Sequence, residues 1–310
     1  MLRMYWERKA AIARICARLP YGDQIYKLGQ KRFGALRADP TSRLSKQVEM
    51  ARWLLSRGEG VSGKSFFEVG TGHVPVVPIG LYLSGAKETI TVDLNRRIDW
   101  DLTRQALEWM ACRRPALAAL YGEDVVSREV FEERFAALVE SRGNAREFLA
   151  SAGIRYLAPV DAANTGLAAE SVDCHSSVTV LEHIAERALG DILAEAKRIL
   201  KPDGHALHFI DLSDHFQHQD KSISRINFLR FSEAEWRRLA GNRFAYCSRL
   251  RASDFLRLIS DAGFRIVRCD RAIDEQSKDQ LRNGFPVDAG FGHYDQDDLC
   301  TTSLRVLLKK

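Results

Sequence analysis

The chain has 310 residues, 45% of them hydrophobic and 28% charged, a balance that excludes a disordered chain, a collagen-like repeat and a small disulfide scaffold. Its net charge of +5 is unevenly placed: residues 1–37 carry nine Lys or Arg against Glu7 and Asp23, a surplus of seven, which leaves −2 for the rest. No apolar stretch approaches the roughly 20 residues of a membrane-spanning helix, and Arg3, Arg8, Lys9, Arg14 and Arg18 interrupt any signal-peptide core.

Six cysteines (Cys16, Cys112, Cys174, Cys247, Cys269, Cys300) show neither a CxxC nor a Cys/His ligand spacing. Reduced thiols in a cytoplasmic protein are expected, with no metal site. Residues 1–58 read as a helical arm. Ile12, Ile15, Cys16 and Leu19 recur at helical spacing, which predicts a helix packed on the main domain by that face with a solvated basic side. A surface for nucleic acid or an anionic membrane is the alternative. Val48, Ala51, Trp53 and Leu55 continue the helical pattern to the turn signal SRGEGVSGK.

Residues 59–310 alternate strands with helices. Strands are expected at Phe66–Val69, Thr89–Leu94, Tyr156–Val160, Val172–Val178 and His205–Leu212, and two more at Phe264–Cys269 and Ser303–Leu308. Such alternation predicts an α/β protein with a doubly wound, mostly parallel sheet of seven strands. The helix before the fifth strand carries Leu189, Ile192, Leu193, Ala196 and Ile199 on one face and ends at Lys201-Pro202-Asp203-Gly204. Insertions at about 100–150, read as a helical hairpin or cap, and at 213–250 leave the carboxyl side of the sheet. Both are candidate lids there, because ligands of open α/β sheets bind at that edge.

Three local patterns carry chemistry. In Glu68-Val69-Gly70-Thr71-Gly72 the glycines let the backbone turn sharply and approach a ligand, and the acid can bind an amine or hydroxyl. A glycine turn without a ligand is the plain alternative. Asp93, at the tip of the second strand, can accept hydrogen bonds from both ribose hydroxyls of an adenosine. Beyond the fifth strand, Asp211, Asp214, His215, His218 and Asp220 form a polar cluster suited to binding an acceptor, removing its proton or holding a divalent ion, with a solvated loop as the plain alternative. His175 reads as a hydrogen-bonded core residue, and Arg237-Arg238, with Arg230 and Arg243, as a solvated helix face.

With these patterns in order, residues 65–310 resemble the class I S-adenosylmethionine-dependent methyltransferases. Glu68 to Gly72 looks like the family's first motif and Asp93, followed by Leu94, like its ribose-binding acid. Asp161-Ala162 stands where the family places adenine contacts. Ser177 through Ile184 resembles the end of the fourth strand and the turn beyond, and Leu200 to Gly204 the turn into the fifth. The resemblance implies a Rossmann-like methyltransferase fold whose last two strands pair antiparallel, which a nicotinamide-binding fold lacks. It implies S-adenosylmethionine as cofactor, held by Glu68, Gly70, Thr71, Gly72, Asp93, Leu94, Asp161, Ala162 and Ser177. His73-Val74-Pro75 departs from the first motif where a third small residue is usual.

The expected activity is methyl transfer to a small-molecule or glycan-type acceptor, at oxygen. His215 and His183 are the candidate general bases. His215 is favoured because Asp211 or Asp214 could orient it. The competing readings are a nicotinamide-dependent oxidoreductase and a non-catalytic binding subunit. A nucleic-acid partner is disfavoured by the charge of −2 outside the arm and by the lack of a basic-aromatic motif.

Overall fold

The computed structural model describes residues 5–32 and 39–310, without the side chains of Lys31 and Arg32. Arg3 and Arg37 of the basic arm, and those two side chains, therefore lie outside the described residues. Three helices open the chain, α1 (Trp6–Arg18), α2 (Gly22–Arg32) and α3 (Thr41–Leu55). Then follow β1 (Ser65–Val69), α4 (Val76–Leu83), β2 (Glu88–Val92), α5 (Trp100–Ala111), α6 (Arg114–Val125), α7 (Arg128–Glu140), α8 (Ala145–Ser151) and β3 (Ile154–Leu157). The second half runs β4 (Val172–Val178), α9 (Glu186–Ile199), β5 (Leu200–Asp211), α10 (Glu233–Ala240), α11 (Ala252–Asp261), β6 (Arg265–Ile273), α12 (Glu275–Arg282), α13 (Gln296–Leu299) and β7 (Thr301–Lys309).

The seven strands form one sheet in the order β3-β2-β1-β4-β5-β7-β6. The pairs among β1 to β5 are parallel, and β7 is antiparallel to both β5 and β6. That final hairpin is the feature expected of the methyltransferase fold and not of a nicotinamide-binding one. Side chains alternate across the sheet with period two. Phe66 enters the core under α3, α4 and the helices α5–α8, while Phe67 and Val69 enter the core under α9 and α11.

The strand limits differ from expectation in instructive ways. β3 starts at Ile154, where it pairs with Thr89, and stops at Leu157, short of Pro159, which has no N–H to donate. β5 begins at Leu200, not His205. Leu200 pairs with Val172 and His205 with Cys174, so Lys201–Gly204 is a bulge inside the strand and not a turn before it. β6 and β7 are longer than the apolar pattern suggests because they pair along Arg265–Lys309 to Ile273–Thr301, although much of β6 is exposed.

Neither the arm nor the first insertion sits as a separate layer. α3 buries Val48, Ala51 and Leu54 in the core with Phe66. In place of a cap over the crevice, α5–α8 pack beside α4. The Tyr121 hydroxyl donates to the Gly80 carbonyl at 3.3 Å, and Arg134 donates to the carbonyls of Tyr82 and Ala86 at 2.7 and 2.8 Å. α1 docks on the second insertion, where Trp6 and Ala10 join Phe216, Ile226, Phe228 and Trp236 in a satellite core. Its buried face is Trp6, Ala10, Ala13 and Cys16. The expected Ile12, Ile15 and Leu19 are 46%, 57% and 44% exposed. The small Ala10 and Ala13 let the helix approach more closely than the isoleucines would.

Candidate active site

The carboxyl ends of β1, β2, β4 and β5 meet at one edge, and the chemistry-bearing residues lie just beyond them. Gly70 and Gly72 both have positive φ, +85° and +73°, a region that costs an L-residue strain. A Cβ on Gly70 would stand 2.5 Å from Val180 of the loop after β4. The tight approach that glycine permits at this position is therefore to protein. The turn is tied to β2, with Gly70 N–H donating to the Val92 carbonyl at 2.9 Å and Gly72 N–H to Asp93 Oδ2 at 3.2 Å.

Asp93 stands at this junction. Its Oδ2 also accepts from the Tyr156 hydroxyl at 3.2 Å. Burial pushes its carboxyl above the ordinary value, against the lowering effect of those two donors. Tyr156 was expected only as a strand residue, and its hydroxyl is the polar end that β3 contributes to the site. Leu94, beside it, is 66% exposed, an uncovered apolar surface next to the carboxylate. Asp161 is exposed, its Oδ1 accepting from Ala163 N–H at 2.9 Å, and Ala162 is buried.

Three expected cofactor residues, Glu68, Thr71 and Ser177, turn their side chains elsewhere. Glu68 is 2% exposed and accepts from the Thr91 hydroxyl at 2.6 Å, while Thr91 and Thr71 share a hydrogen bond through their hydroxyls. These three form a buried relay under the glycine turn, and burial pushes Glu68 up to about 8. Ser177 is fully buried, its hydroxyl 2.8 Å from His208 Nδ1 in the neighbouring strand. It joins β4 to β5 and has no free hydroxyl to offer the cleft. His175 is buried against Phe67 as expected, but neither ring nitrogen has a hydrogen-bond partner among the described residues.

Beyond β4 and β5 three imidazoles gather. The ring centroids of His183 and His215 are 4.9 Å apart, and those of His215 and His218 4.8 Å. Asp211 Oδ2 lies 3.4 Å from His218 Nε2 and 3.7 Å from His215 Nε2. The carboxylate therefore orients His218 more closely than His215, for which 3.7 Å exceeds hydrogen-bond reach. Despite burial, hydrogen bonds from His218 and Ser213 hold Asp211 well below the usual carboxylate range. Burial, then the neighbouring His183, pushes His215 down to about 3, so its ring is neutral at pH 7. Its Nε2 is buried with no hydrogen-bond partner among the described residues. His183 Nδ1 faces the Tyr246 carbonyl at 2.9 Å. A carbonyl only accepts, so Nδ1 carries the proton and Nε2 the lone pair.

Asp214 and Asp220 leave the cluster. Asp214 accepts from Phe216 N–H at 2.8 Å and from Asn227 at 3.3 Å, and Asp220 accepts from Trp6 N–H at 3.1 Å. They shape the second insertion and anchor α1 on it. The insertion then returns along the β4 loop, with Ser248 N–H donating to the Glu182 carbonyl at 2.6 Å, which brings in Cys247, a residue the sequence pattern did not single out. Arg237 and Arg238 lie on the exposed face of α10, as expected. A cavity of about 400 Å³ opens next to the cluster, lined by Trp236, Tyr246, Phe291, Tyr294, Glu233 and Arg249 among others.

Residues 104–208 match a family model described as a methyltransferase domain, from α5 into β5. No curated protein sequence matches the chain. Among solved structures, an S-adenosylmethionine-dependent methyltransferase from Mesorhizobium loti is 14% identical, covering 84% of this chain and 96% of that one with a TM-score of 0.44. Magnesium protoporphyrin IX methyltransferase from Synechocystis, with bound S-adenosylhomocysteine, is 12% identical over 87% and 84% at 0.47. A methyltransferase from Methanosarcina mazei is 12% identical over 80% and 93% at 0.46.

Proposed function

We propose that this chain, an S-adenosylmethionine-dependent methyltransferase by its domain and its sheet order, moves the methyl group to an oxygen of a glycan-type or other hydroxylated small-molecule acceptor. The observation that carries the acceptor class is the cavity beside the histidines. Its aromatic faces suit the apolar faces of sugar rings, and the exposed Glu233 carboxylate, held by Arg249 at 2.7 Å, offers an acceptor for hydroxyl groups. The same reading puts the enzyme in the cytoplasm, where six scattered thiols stay reduced.

The residues beyond β1 and β2 fit the cofactor: a half-buried carboxylate bonded to the glycine turn, with an uncovered leucine next to it. When bound, S-adenosylmethionine supplies a methyl group on a positively charged sulfur. Asp93 accepts the two ribose hydroxyls, Leu94 with Asp161 and Ala162 borders the adenine, and the backbone of Gly70–Gly72 turns past the methionine end. Glu68 and Thr71 act from below, through Thr91, by fixing that turn.

The acceptor's oxygen then meets His183, His215 and Asp211. These groups align it for in-line displacement, His183 with its Nε2 lone pair being the one to take its proton, and no covalent enzyme intermediate is needed. The test incubates the full chain with methyl-labelled S-adenosylmethionine and fractionated glycans and hydroxylated metabolites, with dinucleotide binding measured in parallel. Label should appear in an ether-linked product with S-adenosylhomocysteine formed one for one. Binding of a nicotinamide dinucleotide with no label transferred would support the oxidoreductase reading instead.

A further inference from the structure

We propose that Asp211, His215 and His218 form a site for a divalent first-row transition ion, one that takes imidazole and carboxylate ligands, beside the point of methyl transfer. One ligand atom from each residue lies within 4.8 Å of the other two. Of the two distances from Asp211 Oδ2, 3.4 Å to His218 Nε2 falls within the spacing such an ion imposes and 3.7 Å to His215 Nε2 lies just above it. Bonds of about 2.0–2.2 Å at tetrahedral angles hold ligand atoms roughly 3.3–3.6 Å apart.

Two further observations ask for a cation here. His215 Nε2 is buried with no hydrogen-bond partner among the described residues, and a buried unsatisfied polar atom is destabilising unless something partners it. The Glu182 carboxyl, 1% exposed, likewise has no hydrogen bond to either oxygen among the described residues, and it is electrostatically coupled to Asp211. Lys46 of α3 faces both carboxylates.

Three protein ligands leave a coordination position open, the pattern of a catalytic rather than a structural site. The consequence for chemistry rests on the methyl-transfer reading, whereas the ligand set does not. An acceptor hydroxyl in the open position would be acidified by the ion, with its proton passing to solvent. The oxygen's electron pair then forms the O–CH3 bond while the S–CH3 bond breaks and its pair returns to sulfur. An alcohol becomes a competent nucleophile at neutral pH without a side chain that must keep the proton.

A second group, His183, His215 and Cys247, also places its ligand atoms within 4.8 Å and shares His215, so the test must tell the two apart. Full-length protein stripped of metal is titrated with Co2+ and with Zn2+. The d–d absorption of cobalt reports the ligand set, and calorimetry with S-adenosylhomocysteine is run on the same samples. Expected are one saturable ion per chain and a loss of at least about tenfold in affinity for His218→Ala, with Cys247→Ser binding as the parent does. His218 is 47% exposed, so its removal leaves the packing intact, which a thermal melt checks. A thiolate-to-cobalt charge-transfer band, or binding lost in Cys247→Ser, would assign the ion to the other group and overturn this ligand set. So would unchanged affinity in His218→Ala. S-adenosylhomocysteine binding without saturable cobalt or zinc binding would remove the cation and leave the methyltransferase reading standing.

Discussion

Replacing Asp93 with alanine should weaken S-adenosylhomocysteine binding by about 10- to 150-fold. Hydrogen bonds to a charged group contribute about 1.5–3 kcal/mol, and each 1.4 kcal/mol is a factor of ten in affinity. The upper half of that range is expected. Asp93 is already partly withdrawn from water before any ligand arrives, as its raised carboxyl shows, so binding adds little further desolvation to offset the new bonds. The variant also loses the acceptor for Gly72 N–H and the Tyr156 hydroxyl, which loosens the turn the cofactor must pass. Asp93→Asn keeps one oxygen and should fall between the two. The assay is isothermal calorimetry with S-adenosylhomocysteine, with a thermal melt to show that each variant folds. Affinity within twofold of the parent in folded Asp93→Ala would refute the ribose assignment.

Glu68→Gln should flatten the dependence of stability on pH. The folded carboxyl titrates near 8 against 4.5 for an unperturbed one, so the native state keeps a proton that the unfolded chain has released. That contribution is whole below about pH 4.5 and is lost as the pH rises towards 8, with a slope of up to about 1.4 kcal/mol per unit. Denaturant melts at pH 5 and pH 8 should converge in the variant, and equal pH slopes in the two proteins would contradict this. Gly70→Ala should destabilise by roughly 2–4 kcal/mol, from positive-φ strain plus the 2.5 Å approach to Val180. Gly72→Ala, which meets only the mobile end of Arg43 at 3.3 Å, should cost about 1 kcal/mol. Urea titration compares them, and equal losses would show that Val180 gives way. Arg251 is fully buried, its guanidinium donating to the carbonyls of Asp298, Leu212, Leu299 and Thr301. Arg251→Leu leaves those oxygens unpaired and should lose at least about 3 kcal/mol, measured the same way, and a loss under 1 kcal/mol would mean that the carbonyls find other donors.

Much of this architecture is legible because it is local. Phe66–Val69 ending at Gly70 is a short, largely apolar run bounded by turn chemistry, and Asp93 announces itself by its place one strand on. What fails to show is decided by distant partners. On α1 two stripes overlap, and the periodicity of Ile12, Ile15 and Leu19 outweighs the buried Ala10 and Ala13, Ala10 joining the cluster of Phe216 and Trp236. Ser177 looks like a residue at the cleft until His208, 31 positions away, takes its hydroxyl. Tyr156 and Cys247 enter the site through pairings that span about 60 residues, Tyr156 with Asp93 and Cys247 through the neighbour whose carbonyl holds His183. Arg251 is not singled out by the sequence, because nothing within its own helix announces the four carbonyls that enclose it.

The most direct test of the account is a crystal structure of the full chain with S-adenosylhomocysteine. The ribose hydroxyls should lie on the Asp93 carboxylate, the homocysteine end should cross the Gly70–Gly72 turn, and the sulfur should face the space between that turn and His183 and His215. A ligand whose ribose avoids Asp93, or whose sulfur is walled off from the histidine cluster by protein, would contradict it.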